Sequence, residues 1–368
     1  MPSSDPAGTG GASSPAGDSA THPKRGARRI TRSSVGKAAI QLVAYGALTV
    51  LVLKLVPGLE SAFESLAHVS WLWLLAAVVL EIGSGMGYVL SWQAIVDPEN
   101  TLAQHGAGTH MVMRLAWAQM GASTLVPAGS LGQLGAGALL LHQLGMPSQR
   151  IAERQLSLSF LNTGIDALTL IGFGFALAVG LLPGSSDLRL TLLPAALAAL
   201  LVAAALLLAR RAQRYAQSAR AKHPKLAGWI APVADAIVDA EQLVFHGVRV
   251  KAVLGALAYL WCDLLILWTA FYAIHANPVP GIGVVVLAYV IGALGGSIPG
   301  LGGAGAAGGM AGMLILYGVK ASIAVAAVVL YQAVVLIVPV IGGGVAFLLV
   351  RGRLHPVEGE SADRSSAG

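Results

Sequence analysis

An apolar stretch interrupted by proline and glycine constrains the fold of this chain more than any other sequence feature. It runs from Ser297 to Val319, where Pro299 is accompanied by Gly300, Gly302, Gly303, Gly305, Gly308 and Gly309. Proline removes a backbone donor, and glycine permits turns and close backbone contact. Because no charged residue lies between Gly281 and Tyr317, we expect the break inside the membrane, where irregular backbone must be buried or line a wet cavity. The pattern predicts a re-entrant hairpin of two half-helices.

A similar break occurs in the first half of the chain, in VPAGSLGQLGAGALLLHQLGM. Pro127 corresponds to Pro299, and after a one-residue slip one constant offset relates Gly129, Gly132, Gly135, Leu141 and Gly145 to Gly302, Gly305, Gly308, Leu314 and Gly318. Paired interrupted segments in two halves indicate the binding site of a transporter. The substrate-binding candidates at the breaks are therefore Pro127, Gly129, Gly132, Pro299, Gly302, Gly305 and Gly308.

The composition is typical of polytopic membrane proteins. Of the 368 residues, 56% are hydrophobic and 11% are charged, whereas soluble domains average about 25% charged residues. The single cysteine, Cys262, lies in an apolar run, and the histidines show no ligand spacing, so we expect no metal and no other cofactor. Residues 1–35 are rich in Pro, Gly, Ser and basic residues, which predicts a disordered cytoplasmic tail.

Six apolar segments are long enough to cross a bilayer, which takes about 20 residues. They cover residues 36–56, 69–93, 156–182, 190–209, 252–275 and 322–350. Pairs of shorter segments flank the two breaks, at 111–126 with 130–144 and at 281–298 with 304–317. The predicted fold is an all-α polytopic membrane protein. It has two inverted repeats, residues 36–182 and 183–350, each with one re-entrant hairpin.

Basic residues cluster on one predicted face of the membrane. They occur in the N-terminal tail, at 145–155, in the connector 210–251 and in the C-terminal tail 351–368. The positive-inside rule makes this face cytoplasmic, so both termini are expected in the cytoplasm and the protein in the cell membrane. Because topology explains the net charge of +6, no nucleic-acid partner is expected. Residues 226–248 predict an amphipathic helix, either on the cytoplasmic surface or packed under the bundle.

Four ionisable residues lie within or at the edge of the predicted spans: Glu81, Arg114, Asp166 and Asp263. Charge at that depth is unfavourable, so such residues are functional candidates. Glu81 and Asp263 occupy the matching second spans and are expected to face each other, as a site for a cation or proton or as hydrogen-bonded packing residues. Arg114 either reaches an anionic headgroup or snorkels to the cytoplasmic edge. Asp166 either lines the cavity, as a third coupling candidate, or forms a structural pair with Arg114.

The restarting half-helices suggest a second means of binding. Free backbone N–H groups at 132–135 and 304–309 give positive dipole ends suited to phosphate. The alternative is close helix packing, which small residues at four-residue spacing favour, as in Gly83 with Gly87 or Gly308 with Gly312.

The stretch from Ile298 to Arg353, with its Pro-Gly break, LYGV and AVVLYQAVVLIVPVIGGGVAFLLVRGRL, resembles the lysylphosphatidylglycerol synthase transmembrane family. The first break and Arg114 fit the same pattern. The resemblance implies movement of a phospholipid or similar amphiphile between leaflets without ATP. The chain departs from the family pattern at Gln133, at Ala306 or Ala307 and at Gln332. The synthase domain of the fused relatives is absent, so no enzyme activity is expected and a separate lipid-modifying enzyme is a possible partner.

The favoured function is therefore translocation of a phospholipid or lipid-linked amphiphile, with membrane lipid as the partner. Two alternatives stay open: a secondary transporter of a small solute, with a closed cavity lined by Glu81 and Asp263, and a membrane scaffold or regulator that acts through the connector.

Overall fold

Helices make up the regular structure of the described part of the chain. The computed structural model describes residues 66, 68–97, 108–125, 141–142, 146–183, 187–219, 233, 235–238, 250–296 and 302–351. Its long helices are α1 (Trp71–Val96), α2 (Gly108–Leu125), α3 (Ser148–Ala178), α4 (Leu188–Ala219), α5 (Val250–Ala273), α6 (Ile282–Gly296), α7 (Gly302–Leu316) and α8 (Ala321–Arg351). The predicted all-α fold is confirmed.

Five of these helices, α1, α3, α4, α5 and α8, are long and apolar enough to cross a membrane. They match five of the six predicted spans, and the sixth, at 36–56, lies outside the described residues. Helix α4 shows the lipid-facing character most clearly, because Leu193, Leu200 and Leu208 are each more than 60% exposed. Exposed leucines of this number are unfavourable in water and favourable in hydrocarbon. The chain is a multi-pass membrane protein.

Two helices extend further than the apolar pattern predicts. Helix α3 begins at Ser148, directly after the extended residue Pro147, so it starts well before the span predicted from residue 156. Helix α4 continues through its basic residues to Ala219. The length of an apolar segment identifies only the part of a helix that lies in the hydrocarbon. Charged helical turns beyond that part are therefore not predicted. The connector helix predicted at 226–248 lies largely outside the described residues.

Helices α1 and α5 form an antiparallel pair at the centre of the bundle. The backbone amide of Ser70 donates to the carbonyl of Ala273 at one end of the pair. Further along α1, a methyl group added to Gly87 would lie 2.5 Å from the Tyr259 backbone nitrogen. Gly83 lies next to the sulfur of Cys262 on the same face. Small residues at four-residue spacing thus bring these two helices into backbone contact, as predicted for Gly83 and Gly87.

Helices α6 and α7 form an antiparallel hairpin of 15 residues each. A methyl group added to Gly309 would lie 2.7 Å from the Gly292 carbonyl oxygen, and one added to Gly295 would lie 2.5 Å from the Gly305 carbonyl oxygen. The two outer ends of the hairpin lie at the α3–α4 turn. There, Gly281 adjoins the Pro183 carbonyl, and the Tyr317 hydroxyl donates to the Leu190 carbonyl at 2.7 Å.

The remaining helices enclose this centre. Helix α2 packs closely on α8, where a methyl group on Gly121 would lie 2.6 Å from the Pro339 carbonyl oxygen. Helix α3 packs on α6, where Gly283 faces the Leu177 side chain. The helix that follows each predicted broken pair therefore contacts the helix that precedes the other break.

Candidate functional site

The buried carboxylate of Asp263 is the point where four helices meet. Its Oδ2 accepts hydrogen bonds from the hydroxyls of Tyr289 on α6, at 2.6 Å, and Tyr331 on α8, at 3.3 Å. Its Oδ1 accepts a longer hydrogen bond, 3.4 Å, from Ser84 on α1. Because Asp263 itself lies on α5, one carboxylate connects the central helix pair to α8 and to the hairpin.

Glu81 lies on α1 one helical turn before Ser84, which places both on one face of the helix. Its side chain is fully buried, and neither carboxyl oxygen accepts a hydrogen bond from any N–H or O–H group of the described residues. The group that lies close enough to share a hydrogen bond with it is the carboxyl of Asp263. The structure thus brings Glu81 and Asp263 together, as their positions in the two spans predict.

Helix α3 adds two polar side chains to this region. Asp166 interacts electrostatically with Asp263, and Asn162, one turn earlier on α3, has a buried side-chain oxygen without a hydrogen-bond partner in the described structure. The described residues contain no group of three acidic, histidine or cysteine side chains with the geometry of a metal site. The cluster is therefore a polar centre in an apolar bundle.

Arg114 is half-buried on α2. The expected ion pair between Arg114 and Asp166 is not formed, although the structure describes both side chains. Asp166 instead lies within electrostatic range of the carboxyl of Asp263 on α5, a group of like charge. No described side chain pairs with the Arg114 guanidinium.

Some glycines of α7 lie against α6, and others have open space beside them. Gly309 and the Gly305 carbonyl contact α6 directly, whereas a methyl group added to Gly308 or Gly312 would meet nothing within 4 Å. Close helix packing therefore does not account for Gly308 and Gly312 among the described residues, since each has open space where a side chain would begin. Gly302 begins α7. The other predicted binding residues, Pro127, Gly129, Gly132 and Pro299, lie outside the described residues.

The sequence did not reveal several polar residues at the centre. Tyr289, Tyr331 and Ser84 lie in apolar spans, and only the position of Ser84 one turn after Glu81 gave a signal. A buried amide cluster was also missed. The Trp92 indole N–H donates to Gln119 Oε1 at 2.8 Å, and the Gln119 amide donates to Gln155 Oε1 at 3.0 Å. This cluster joins α1, α2 and α3.

An apolar cavity of about 490 Å³, open on one side, lies between α3 and α5. Its lining includes Ile165 and Phe173 from α3, and Val253 and Leu257 from α5. Small-molecule sites usually enclose roughly 300–1,000 Å³. The cavity is large enough for part of an acyl chain, and its walls are apolar enough to hold one.

Comparison with known proteins identifies a family. Residues 40–343 match the family model described as the lysylphosphatidylglycerol synthase TM region, which covers most of the chain. Neither a curated protein nor a solved structure matched the chain.

Proposed function

Because the chain belongs to the lysylphosphatidylglycerol synthase TM region family, we propose that it moves a phospholipid or lipid-linked amphiphile between the two leaflets of the membrane. Membrane lipid is then its partner, with no ATP and no cofactor. The cell membrane is the proposed location, with both termini in the cytoplasm. A separate lipid-modifying enzyme would supply the lipid if its headgroup is modified.

The observation that carries this proposal is the short glycine-rich hairpin. A helix of 15 residues is about 22 Å long, whereas the hydrocarbon core is about 30 Å thick. We infer that α6 and α7 enter the membrane from one face and end inside it. The tip would then bring backbone amides at the start of α7 to a depth where a phosphate headgroup has no other partner.

Two features give the headgroup and the tail separate places. The open glycines Gly308 and Gly312 have free space beside them in the described structure, so a headgroup can approach the helix backbone there. The apolar cavity between α3 and α5 accommodates an acyl chain that stays in hydrocarbon. Such a division suits an amphiphile better than a uniformly polar solute.

The inverted-repeat arrangement is part of the proposal. The antiparallel pairing of α1 with α5 and the reciprocal contacts, α2 with α8 and α3 with α6, suit two similar units of opposite orientation. Two such units allow alternating access, because each hairpin packs tightly in one state and loosens in the other.

A small-solute transporter is the second candidate. The observation that favours it is the buried polar centre at Asp263, which resembles a closed site more than a path open to lipid. The scaffold alternative depends on residues 226–248 and draws no support from the described helices.

The test is lipid movement in liposomes that contain the purified full-length protein, measured with labelled anionic and zwitterionic phospholipids. Wild type is expected to move lipid faster than empty liposomes, and Gly308→Leu and Arg114→Ala to lose most of that rate. Gly344→Leu is the matched control, because Gly344 on α8 is equally open but lies away from the hairpin. Transport that equals that of empty liposomes for both lipid classes, together with uptake of a small solute, would contradict the proposal.

A further inference from the structure

Glu81 and Asp263 form a buried pair of acids without a basic partner. Their side chains are at most 5% exposed. The titratable groups that face the pair, from α3, α5, α6 and α8, carry negative charge or none: Asp166, Tyr259, Cys262, Tyr289 and Tyr331. Helix α2 contributes no titratable neighbour in the described structure. Two bare carboxylates at this depth would repel each other with nothing to neutralise them.

The two acids differ in their hydrogen bonds. Asp263 accepts bonds from Tyr289, Tyr331 and Ser84, and an ionised carboxylate, which only accepts, suits three donors. Glu81 accepts none, although both of its oxygens are buried. A buried carboxyl group without a donor is far less unfavourable when it is neutral. The negative charge therefore belongs on Asp263 and the compensating proton on Glu81.

We propose that Glu81 holds one exchangeable proton, which it donates to Asp263, and that this proton keeps the α1–α5 pair closed against the hairpin. On release, the O–H bond of Glu81 breaks, the proton passes to water, and both residues are left as carboxylates. Their repulsion loosens the contacts of Asp263 with Ser84 on α1 and Tyr289 on α6. Rebinding of a proton restores the closed arrangement.

A proton fits this site better than a metal cation. Hard cations such as Ca²⁺ take six to eight oxygen ligands, whereas the described residues contain no group of three acidic, histidine or cysteine ligands. The two tyrosine hydroxyls already donate to Asp263, so their hydrogens face the place that a cation would occupy. A shared proton needs only two facing oxygens.

The consequence for transport rests on the proposed function. If the hairpin carries the lipid site, protonation of Glu81 couples hairpin movement to the proton gradient. The proton site itself stands on the geometry of the acids alone, so it is tested separately from lipid movement.

The first experiment is infrared spectroscopy of the full-length protein in lipid nanodiscs. Wild type is expected to show the carbonyl band of a protonated carboxyl, shifted in D₂O and lost as the pH rises. Glu81→Gln should lack this band, and Glu153→Gln should retain it. Glu153 is the matched control because it is a carboxylate at an exposed site, bonded to Gln149.

Two results would overturn the proton site. One is a band that is identical in Glu81→Gln, and the other is a band that stays unshifted in D₂O and unchanged across the stable pH range. Loss of the band on addition of NaCl at constant pH would instead identify a sodium site and also reject the proposal.

The second experiment measures the switch. Spin labels at Leu72 on α1 and Leu294 on α6, which are 73% and 61% exposed, are introduced into a Cys262→Ala background. The distance between them should shift with pH in the otherwise unmodified protein and stay constant in Glu81→Gln. An equal shift in both proteins would overturn the switch. A confirmed proton site without lipid movement would retain this inference and reject the proposed function.

Discussion

Gly87 on α1 and Gly255 on α5 lie against each other where the two helices cross. A methyl group on either glycine would lie 2.7 Å from the carbonyl oxygen of the other. This reciprocal contact brings the helix axes close enough for Glu81 and Ser84 to reach Asp263 across the same interface.

Gly87→Ala should therefore destabilise the bundle, because the added methyl group cannot be accommodated without moving the backbone of Tyr259. Overpacking of this kind costs about 1–3 kcal/mol. Gly164→Ala on α3 is the control, since its methyl group would meet nothing within 4 Å; it should be neutral or raise stability by about 0.5–1 kcal/mol. Thermal unfolding in detergent measures both, and equal midpoints would contradict the close contact.

Two glycines of α7 should respond differently to the same substitution. Gly309→Ala places a methyl group 2.7 Å from the Gly292 carbonyl oxygen and should lower the thermal midpoint. Gly312→Ala, whose added methyl group would meet nothing within 4 Å, should leave it unchanged. Because both glycines belong to one helix, a similar loss in both would contradict the close contact of Gly309 with Gly292.

The hydroxyl of Tyr289 should contribute more stability than that of Tyr331. Its hydrogen bond to Asp263 is 2.6 Å long, against 3.3 Å for Tyr331. Hydrogen bonds to charged groups contribute about 1.5–3 kcal/mol, so Tyr289→Phe should approach that loss and Tyr331→Phe should fall below it. Chemical or thermal unfolding of the two variants ranks them, and the reverse order would argue against the described geometry.

The amide cluster should behave as a unit. Gln119→Leu leaves the Trp92 indole N–H and the Gln155 amide without their partner, and an unpaired buried polar group costs about 1–3 kcal/mol. The double variant Gln119→Leu with Gln155→Leu should lose less stability than the two single losses added together. A double-mutant cycle from unfolding curves, supported by Trp92 fluorescence, tests this coupling. Strict additivity would show that the two amides act independently.

The topology predicts which face of the membrane each helix end reaches. In a Cys262→Ala background, cysteines at Asp187 and Lys320 should react with an impermeant maleimide added outside intact cells. A cysteine at Arg154 should react only after the cells are opened. The contact of Tyr317 with Leu190 places the end of the hairpin beside the start of α4, so opposite labelling of Asp187 and Lys320 would refute the hairpin.

The helices themselves were largely predictable from the sequence. Apolar length located α1, α5 and α8 to within a few residues, and glycine with proline located the break before α7. The prediction was less accurate at charged helix ends, such as the start of α3 at Ser148. Hydropathy identifies the part of a helix that lies in the membrane, and it does not detect the charged turns outside it.

The candidate site was predictable in part. Glu81 and Asp263 were identified because a charge in hydrocarbon is unfavourable, and their matching spans placed them opposite each other. Tyr289 and Tyr331 were not identified, because a tyrosine in an apolar span is common and its hydroxyl partner lies far away in the sequence. Of the two alternatives for Asp166, the structural pair with Arg114 was wrong, because whether two helices turn such side chains towards each other depends on tertiary packing.

The sequence by itself determined the class of protein, the membrane spans and the position of the break. These features depend only on which residues are neighbours along the chain. Only the tertiary structure decided that Asp263 accepts hydrogen bonds from three hydroxyl groups while Glu81 accepts none. It also decided that Gly309 contacts α6 while Gly308 has open space beside it. These properties depend on how each helix is rotated about its axis against its neighbours. That rotation is fixed by contacts between distant segments, such as Gly87 with Gly255, which no local pattern encodes.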